Sequence, residues 1–173
     1  MTRFFCPIHG FHQPSAGDFC VFALSPKSAS RYNENMPVFD VASEDETKAV
    51  AAKLAAAAQG GDVYCLHGNL GAGKSFFARN FIRALCGENT EVPSPTFTLV
   101  QTYDNAKAPI WHFDLYRLSD PEEIFETGWE EALDGGITLV EWPERLGPYL
   151  PAKAKHIHIE TTGATSRRIT IDE

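Results

Sequence analysis

From residue 38 onward the apolar positions fall into short runs and spaced ladders, a pattern that predicts alternating strands and helices. Val38-Phe39-Asp40-Val41 reads as a first strand. Ser43 with Glu46 three residues later forms a capping-box pattern, which opens a helix through Val50, Leu54 and a run of alanines to Gly60-Gly61. Val63–His67 is a short, mostly apolar, β-prone run before a glycine-rich turn. After that turn Phe76, Phe77, Phe81, Ile82 and Leu85 recur at helical spacing, ending near Cys86-Gly87. Pro93 and Pro95 keep 89–96 a loop. Runs at 97–103 and 110–115, joined by Asp104-Asn105-Ala106-Lys107, predict an antiparallel hairpin over 97–115. Asp120 as cap and Pro121 at the first helical position predict a helix over 120–133, stopped by Gly135-Gly136. Residues 137–140 are a buried strand leading into Glu141-Trp142-Pro143, and alternation around Gly163 predicts a second hairpin over 155–171.

The glycine-rich turn carries chemistry. Gly68-Asn69-Leu70-Gly71-Ala72-Gly73-Lys74-Ser75 fits G-x-x-x-x-G-K-[ST] without a mismatch, between a strand and a helix. Glycines there let consecutive N–H groups converge on an anion at a helix N-terminus. Lys74 supplies a mobile point charge for the β- and γ-phosphates, and Ser75 a hydroxyl for Mg²⁺. The expectation is a nucleoside triphosphate site in an α/β chain of the P-loop NTPase fold, with a mixed central sheet flanked by helices. Such a loop needs a carboxylate at the end of a second strand. Glu141 and Asp114 both qualify; one would hold Mg²⁺ and the other orient or deprotonate water, and spacing does not say which. Thr96, on the Pro-bounded loop, is placed to sense the γ-phosphate. Trp142 reads equally as a stacking surface or as core filler, and Arg167 and Arg168 after a polar turn are candidate nucleotide contacts or a solvated edge.

Composition narrows the partners. The chain has 173 residues and a net charge of −8, with no large basic stretch, which argues against strong direct contact with nucleic acid. No apolar run reaches the ~18–20 residues that span a bilayer, so no membrane is expected. Cys65 and Cys86 do not read as a disulfide framework, and a cytoplasmic setting follows. Residues 1–35 hold prolines, serines and asparagines without a period and read as an N-terminal extension or start-site artefact. The order and spacing of Cys6, His9, His12 and Cys20 are not those of a common finger, so no zinc is expected. A single ATPase domain is expected over 36–173.

Four stretches, His67 to Ser75, Val92-Pro93-Ser94-Pro95-Thr96-Phe97, His112-Phe113-Asp114-Leu115-Tyr116-Arg117-Leu118 and Leu139-Val140-Glu141-Trp142-Pro143-Glu144, occur in an order and spacing that resemble the TsaE family (formerly YjeE). The resemblance covers about residues 37–172. It implies slow ATP hydrolysis in a complex with the TsaD and TsaB subunits, which transfer threonylcarbamoyl to N6 of adenosine 37 in tRNAs reading ANN codons. By the same resemblance Ser75 and Glu141 lie at Mg²⁺, Asp114 is a catalytic acidic residue (a carboxylate), and Thr96 sits on a switch-like loop. Glu44 and Thr47 fall where the family contacts nucleotide near the base, and tRNA is reached only through the complex. Many members carry Thr-Thr after the lysine, whereas Ser75-Phe76 keeps the hydroxyl alone. Two other readings use the same loop: a small-molecule kinase, which needs an acceptor site and an arginine-bearing lid, and a nucleotide-gated binding subunit without meaningful hydrolysis. A guanine reader of the Asn-Lys-x-Asp type is absent.

Overall fold

The computed structural model describes residues 36–172. The expected extension over 1–35, with Cys6, His9, His12 and Cys20, lies outside the described residues. The elements run β1 (Val38–Val41), α1 (Glu44–Ala57), β2 (Val63–His67), α2 (Lys74–Cys86), β3 (Val100–Tyr103), β4 (Ile110–Asp114), α3 (Trp129–Leu133), β5 (Ile137–Glu141), β6 (Lys155–Thr161) and β7 (Arg167–Asp172). All seven strands join one sheet in the order β1-β7-β6-β2-β5-β4-β3. Its inner strands β6, β2, β5 and β4 are parallel, and antiparallel pairs finish both edges, among them the two expected hairpins.

Both faces of the inner strands are covered, which is why β2 and β5 read as unbroken apolar runs rather than alternating ones. On one face α1 and α2 pack Ala51, Ala55, Phe77 and Phe81 against Leu66, Leu139 and Ile157. On the other, Ile124, Trp129 and Leu146 close over Phe113 and Val140. The cap forms with the return bond shifted by one residue: Glu46 N–H donates to Ser43 Oγ at 3.2 Å, and Glu46 Oε2 accepts from Ala42 N–H, just before the cap, at 2.7 Å. The last turn of α1 has no basic residue of its own, but Lys107 Nζ arrives from the β3–β4 turn and donates to Ala56 O at 3.0 Å.

Two elements depart from the sequence expectation. The predicted helix over 120–133 is a 3-10 segment at Pro121–Thr127 and the short α3, broken at Gly128 with φ 82°. Asp120 caps it as expected, accepting from Glu122 N–H at 3.0 Å. The break turns both Ile124 and Trp129 into one apolar cluster, which a straight helix of that length would not do. The strand predicted from 97 begins only at Val100, because Leu99 takes a left-handed φ of 63° and its N–H closes a turn onto Pro95 O at 2.7 Å. That turn leaves Phe97 85% exposed, outside the sheet altogether.

Since β2, β5 and β4 run parallel, their carboxyl ends emerge along one edge of the sheet. His67, Glu141 and Asp114 end these strands, and Asp114 lies opposite Glu141 in register. In open α/β sheets this edge is where ligands bind.

Candidate functional site

The site begins with the turn from β2 into α2. Gly68 runs so close to β6 that a Cβ there would stand 2.5 Å from Ile159 O. Gly73 caps α2 in a left-handed conformation with no side-chain partner, so the first N–H groups of the helix face outward as an anion cradle. Lys74 Nζ donates to Gly68 O at 2.6 Å and Asn69 O at 3.1 Å, and lies 3.7 Å from the Trp142 ring centroid. Burial pulls the Lys74 pKa down, while the carboxylates of Glu141, Glu144 and Asp114 push it back up.

Period-two alternation builds the acidic floor. On β4, Ile110, His112 and Asp114 share one face; on β5, Ile137, Leu139 and Glu141 do. Ser75 Oγ donates to Glu141 Oε2 at 2.8 Å, and His112 Nε2 lies 2.9 Å from Glu141 Oε1. Asp114 accepts from Thr96 Oγ1 at 2.5 Å and from Tyr116 N–H at 3.1 Å. The Thr96 hydroxyl also meets Ser94 Oγ at 2.8 Å. Both carboxylates are buried, and each of their four oxygens has a partner, as buried charge requires. A cleft of about 300 Å³ opens on Lys74, Ser75, Thr96, Asp114 and Glu141, walled by Trp142. Hydroxyl and carboxylate oxygens of this kind fit a hard divalent cation such as Mg²⁺. Trp142 both lines the cleft and packs, partly buried, against the apolar cluster that holds Phe113 and Val140.

A second cleft, of about 180 Å³, shares Gly73 and Phe76 with the first and is lined by Glu44, Thr47, Thr165 and Arg167. Of the two arginines, Arg167 is the one that faces the glycine-rich loop, donating from Nε to Ala72 O at 2.7 Å. Arg168 points to the opposite side of β7 and is paired with Asp40 at 2.7 Å and 3.1 Å. The structure therefore brings Glu44 and Thr47 to the loop and sets Arg168 apart from it. β-strand parity decided this, and parity could not be counted without knowing where β7 pairs.

A larger cavity, of about 340 Å³, lies on the other flank of the loop, between His67 and Asn69 on one side and His158 and Glu160 on the other. It holds Glu160 and Thr161, but both are exposed, whereas Glu141 in the other cleft is buried and bonded to the Ser75 hydroxyl, so chemistry and not size singles out the cleft over Ser75. Sequence reasoning missed the histidines beside it: His67 Nε2 lies 2.8 Å from His156 Nδ1, and the His67 and His158 rings stack at 4.5 Å. Burial, then the neighbouring His158 and His156 and Lys74, push the His67 pKa down to about 4. The contact of His112 with Glu141 was missed too, although its parity with Asp114 on β4 was the available signal. Cys65 and Cys86 are free thiols, and burial pushes Cys65 up to about 12.

Comparison with known proteins gives the family. The family model described as "Threonylcarbamoyl adenosine biosynthesis protein TsaE" matches residues 41–169. The chain belongs to the TsaE family. It is 45% identical over 128 residues to the tRNA threonylcarbamoyladenosine biosynthesis protein TsaE of Rickettsia felis, covering 74% of this chain and 75% of that one. The Bacillus subtilis protein of the same name is 41% identical over 127 residues, 73% of this chain and 78% of that one. A crystal structure of Bacillus subtilis YdiB superposes with a TM-score of 0.64 at 34% identity, covering 79% of this chain and 84% of that chain. The TsaE match contains every residue of both clefts, from Glu44 to Arg167.

Proposed function

We propose that this chain binds and slowly hydrolyses ATP with Mg²⁺ as a subunit required for N6-threonylcarbamoylation of adenosine 37 in tRNAs reading ANN codons, acting with TsaD and TsaB. The names of its TsaE relatives, which are tRNA threonylcarbamoyladenosine biosynthesis proteins, support the pathway. The observation that carries the ATPase reading is the Ser75–Glu141 contact of 2.8 Å at the N-terminus of α2, beside Lys74. A helix N-terminus, a lysine and a hydroxyl–carboxylate pair on neighbouring elements are the parts of a P-loop NTPase site.

In this reading the N–H groups around Gly71 and Gly73 hold the phosphates, and Lys74 neutralises charge on the transferred group. The bound Mg²⁺ supplies charge neutralisation at the phosphates, held by Ser75 and Glu141. Asp114 orients the attacking water and accepts its proton. Thr96 ties its loop to Asp114, so a ligand that competes for the Thr96 hydroxyl re-forms the exposed turn bearing Phe97. Glu44, Thr47 and Arg167 border the base and ribose. The net charge of −8 makes tRNA a partner of the complex rather than of this chain alone. Among the described residues no helix is long and apolar enough to cross a membrane, and the proposed place of work is the cytoplasm with its tRNA.

The test is ATP turnover by the chain alone and with TsaB, TsaD and unmodified tRNA, with modified adenosine followed in the same tubes. Both are expected to rise only in the full mixture and to fall with Glu141→Ala. Equal ATP consumption without partners, with a phosphorylated small molecule appearing, supports a kinase instead.

A further inference from the structure

His112 carries a contradiction that its neighbours resolve. Its side chain is 1% exposed, and its Nδ1 is buried without a hydrogen-bond partner. A histidine serving only as filler would leave a polar atom stranded at a cost that an apolar side chain of similar size avoids. Its other nitrogen is fully committed: Nε2 lies 2.9 Å from Glu141 Oε1. Nε2 faces a carboxylate oxygen, an acceptor, and the tautomer that makes a hydrogen bond of this contact carries its hydrogen on Nε2. Strand parity puts His112 one step behind Asp114 on the same face of β4, directly beneath the cleft floor.

The two oxygens of Glu141 are thus divided. Oε1 is held from below by His112, and Oε2 is turned up to Ser75 at 2.8 Å. A carboxylate gripped on one oxygen cannot rotate freely, and the other oxygen is presented in one direction. We propose that His112 is a positioning residue that fixes the Glu141 carboxylate so that Oε2 and Ser75 Oγ form a preset pair for a divalent cation. This rests on the Mg²⁺–ATP reading of the same cleft. It adds a residue that touches neither nucleotide nor cation and acts through the ligand it orients.

The test compares His112→Gln, whose amide reaches the place of Nε2, with His112→Asn, whose shorter amide does not. A fluorescent ATP analogue is bound with and without Mg²⁺, and the Mg²⁺ concentration for half-maximal effect is read alongside the melting temperature. His112→Asn is expected to raise that concentration about tenfold or more, while binding without Mg²⁺ changes little. His112→Gln should stay within about threefold of wild type. In the wild-type chain, the His112 Nε2–H resonance should be protected from exchange and should shift when Mg²⁺ joins bound nucleotide. Equal Mg²⁺ dependence in all three proteins, an equal loss in both variants, or an unmoved resonance overturns the proposal. A Glu141→Gln control keeps the two readings apart. If wild type and Glu141→Gln respond to Mg²⁺ alike, Glu141 is no ligand, and the underlying assignment fails together with the role of His112.

Discussion

Gly68→Ala is the substitution whose cost the structure fixes best. Its φ of 149° lies in the region that side chains avoid, and a Cβ would meet Ile159 O at 2.5 Å and Ala72 Cβ at 3.0 Å. Ordinary carbon–oxygen contacts stand at about 3.3–3.6 Å, so something must move by close to an ångström. The obstacle is backbone, and Ile159 is fixed in the middle of β6 opposite Ile169 of β7. Backbone strain contributes about 1–3 kcal/mol and crowding about as much again, a total of about 2–6 kcal/mol. Gly71→Ala is the control. With φ 78° and nothing within 4 Å of its Cβ, it keeps only the left-handed strain, about 1–2 kcal/mol. Taking the backbone strain as common to both, the gap between the two is the crowding alone, about 1–3 kcal/mol. At roughly 3–5 °C per kcal/mol for a domain of this size, that is about 3–15 °C in melting temperature. Calorimetry, checked by urea titration, measures the gap directly. Gly68→Ala should also weaken ATP binding more than Gly71→Ala does, because it displaces the loop from β6. If the two variants melt within about 2 °C of each other, the close approach to Ile159 is not what holds the loop, and the reasoning fails.

Lys74→Ala should stay folded and lose roughly ten- to a hundredfold in ATP affinity, the worth of a charged hydrogen bond, as read by titration calorimetry. Thr96→Ala removes the 2.5 Å bond to Asp114 and should uncouple ATP from docking on TsaD and TsaB while leaving the melting temperature within a few degrees; docking and cycling like wild type would exclude the switch. Arg167→Ala should weaken ATP binding, whereas Arg168→Ala, whose pairing with Asp40 is solvent-exposed, should leave it within about twofold. His67 titrates at about 4 when folded and near 6.5 when unfolded, so between those values only the unfolded chain takes up its proton. Stability should therefore be intact above pH 6.5 and fall as pH drops toward 4, and His67→Gln should flatten that part of a urea-midpoint profile.

The local elements were legible because their determinants are local. Ser43 and Glu46 are close enough in the chain to cap α1 by themselves, and a glycine-rich turn between an apolar run and a helical ladder dictates a strand–loop–helix unit. The Thr96, Asp114 and Glu141 candidates came from strand ends and prolines, which are also local features. Where local signals competed, the tertiary structure chose: Gly128 and Leu99 take positive φ to serve packing and the turn beside Asp114, and the predicted helix and strand shorten accordingly. Nothing in the residues around Ser75 says that the carboxylate of Glu141, 66 positions away, will accept its hydroxyl hydrogen. That contact exists because β5 enters the sheet between β2 and β4, an ordering set by how apolar faces are buried and not by any one segment. The same holds for Arg167 against Arg168 and for His112 beneath Glu141. A side chain's face in a strand alternates with each residue, so its partner is known only once register is fixed, and register is a property of two strands at once.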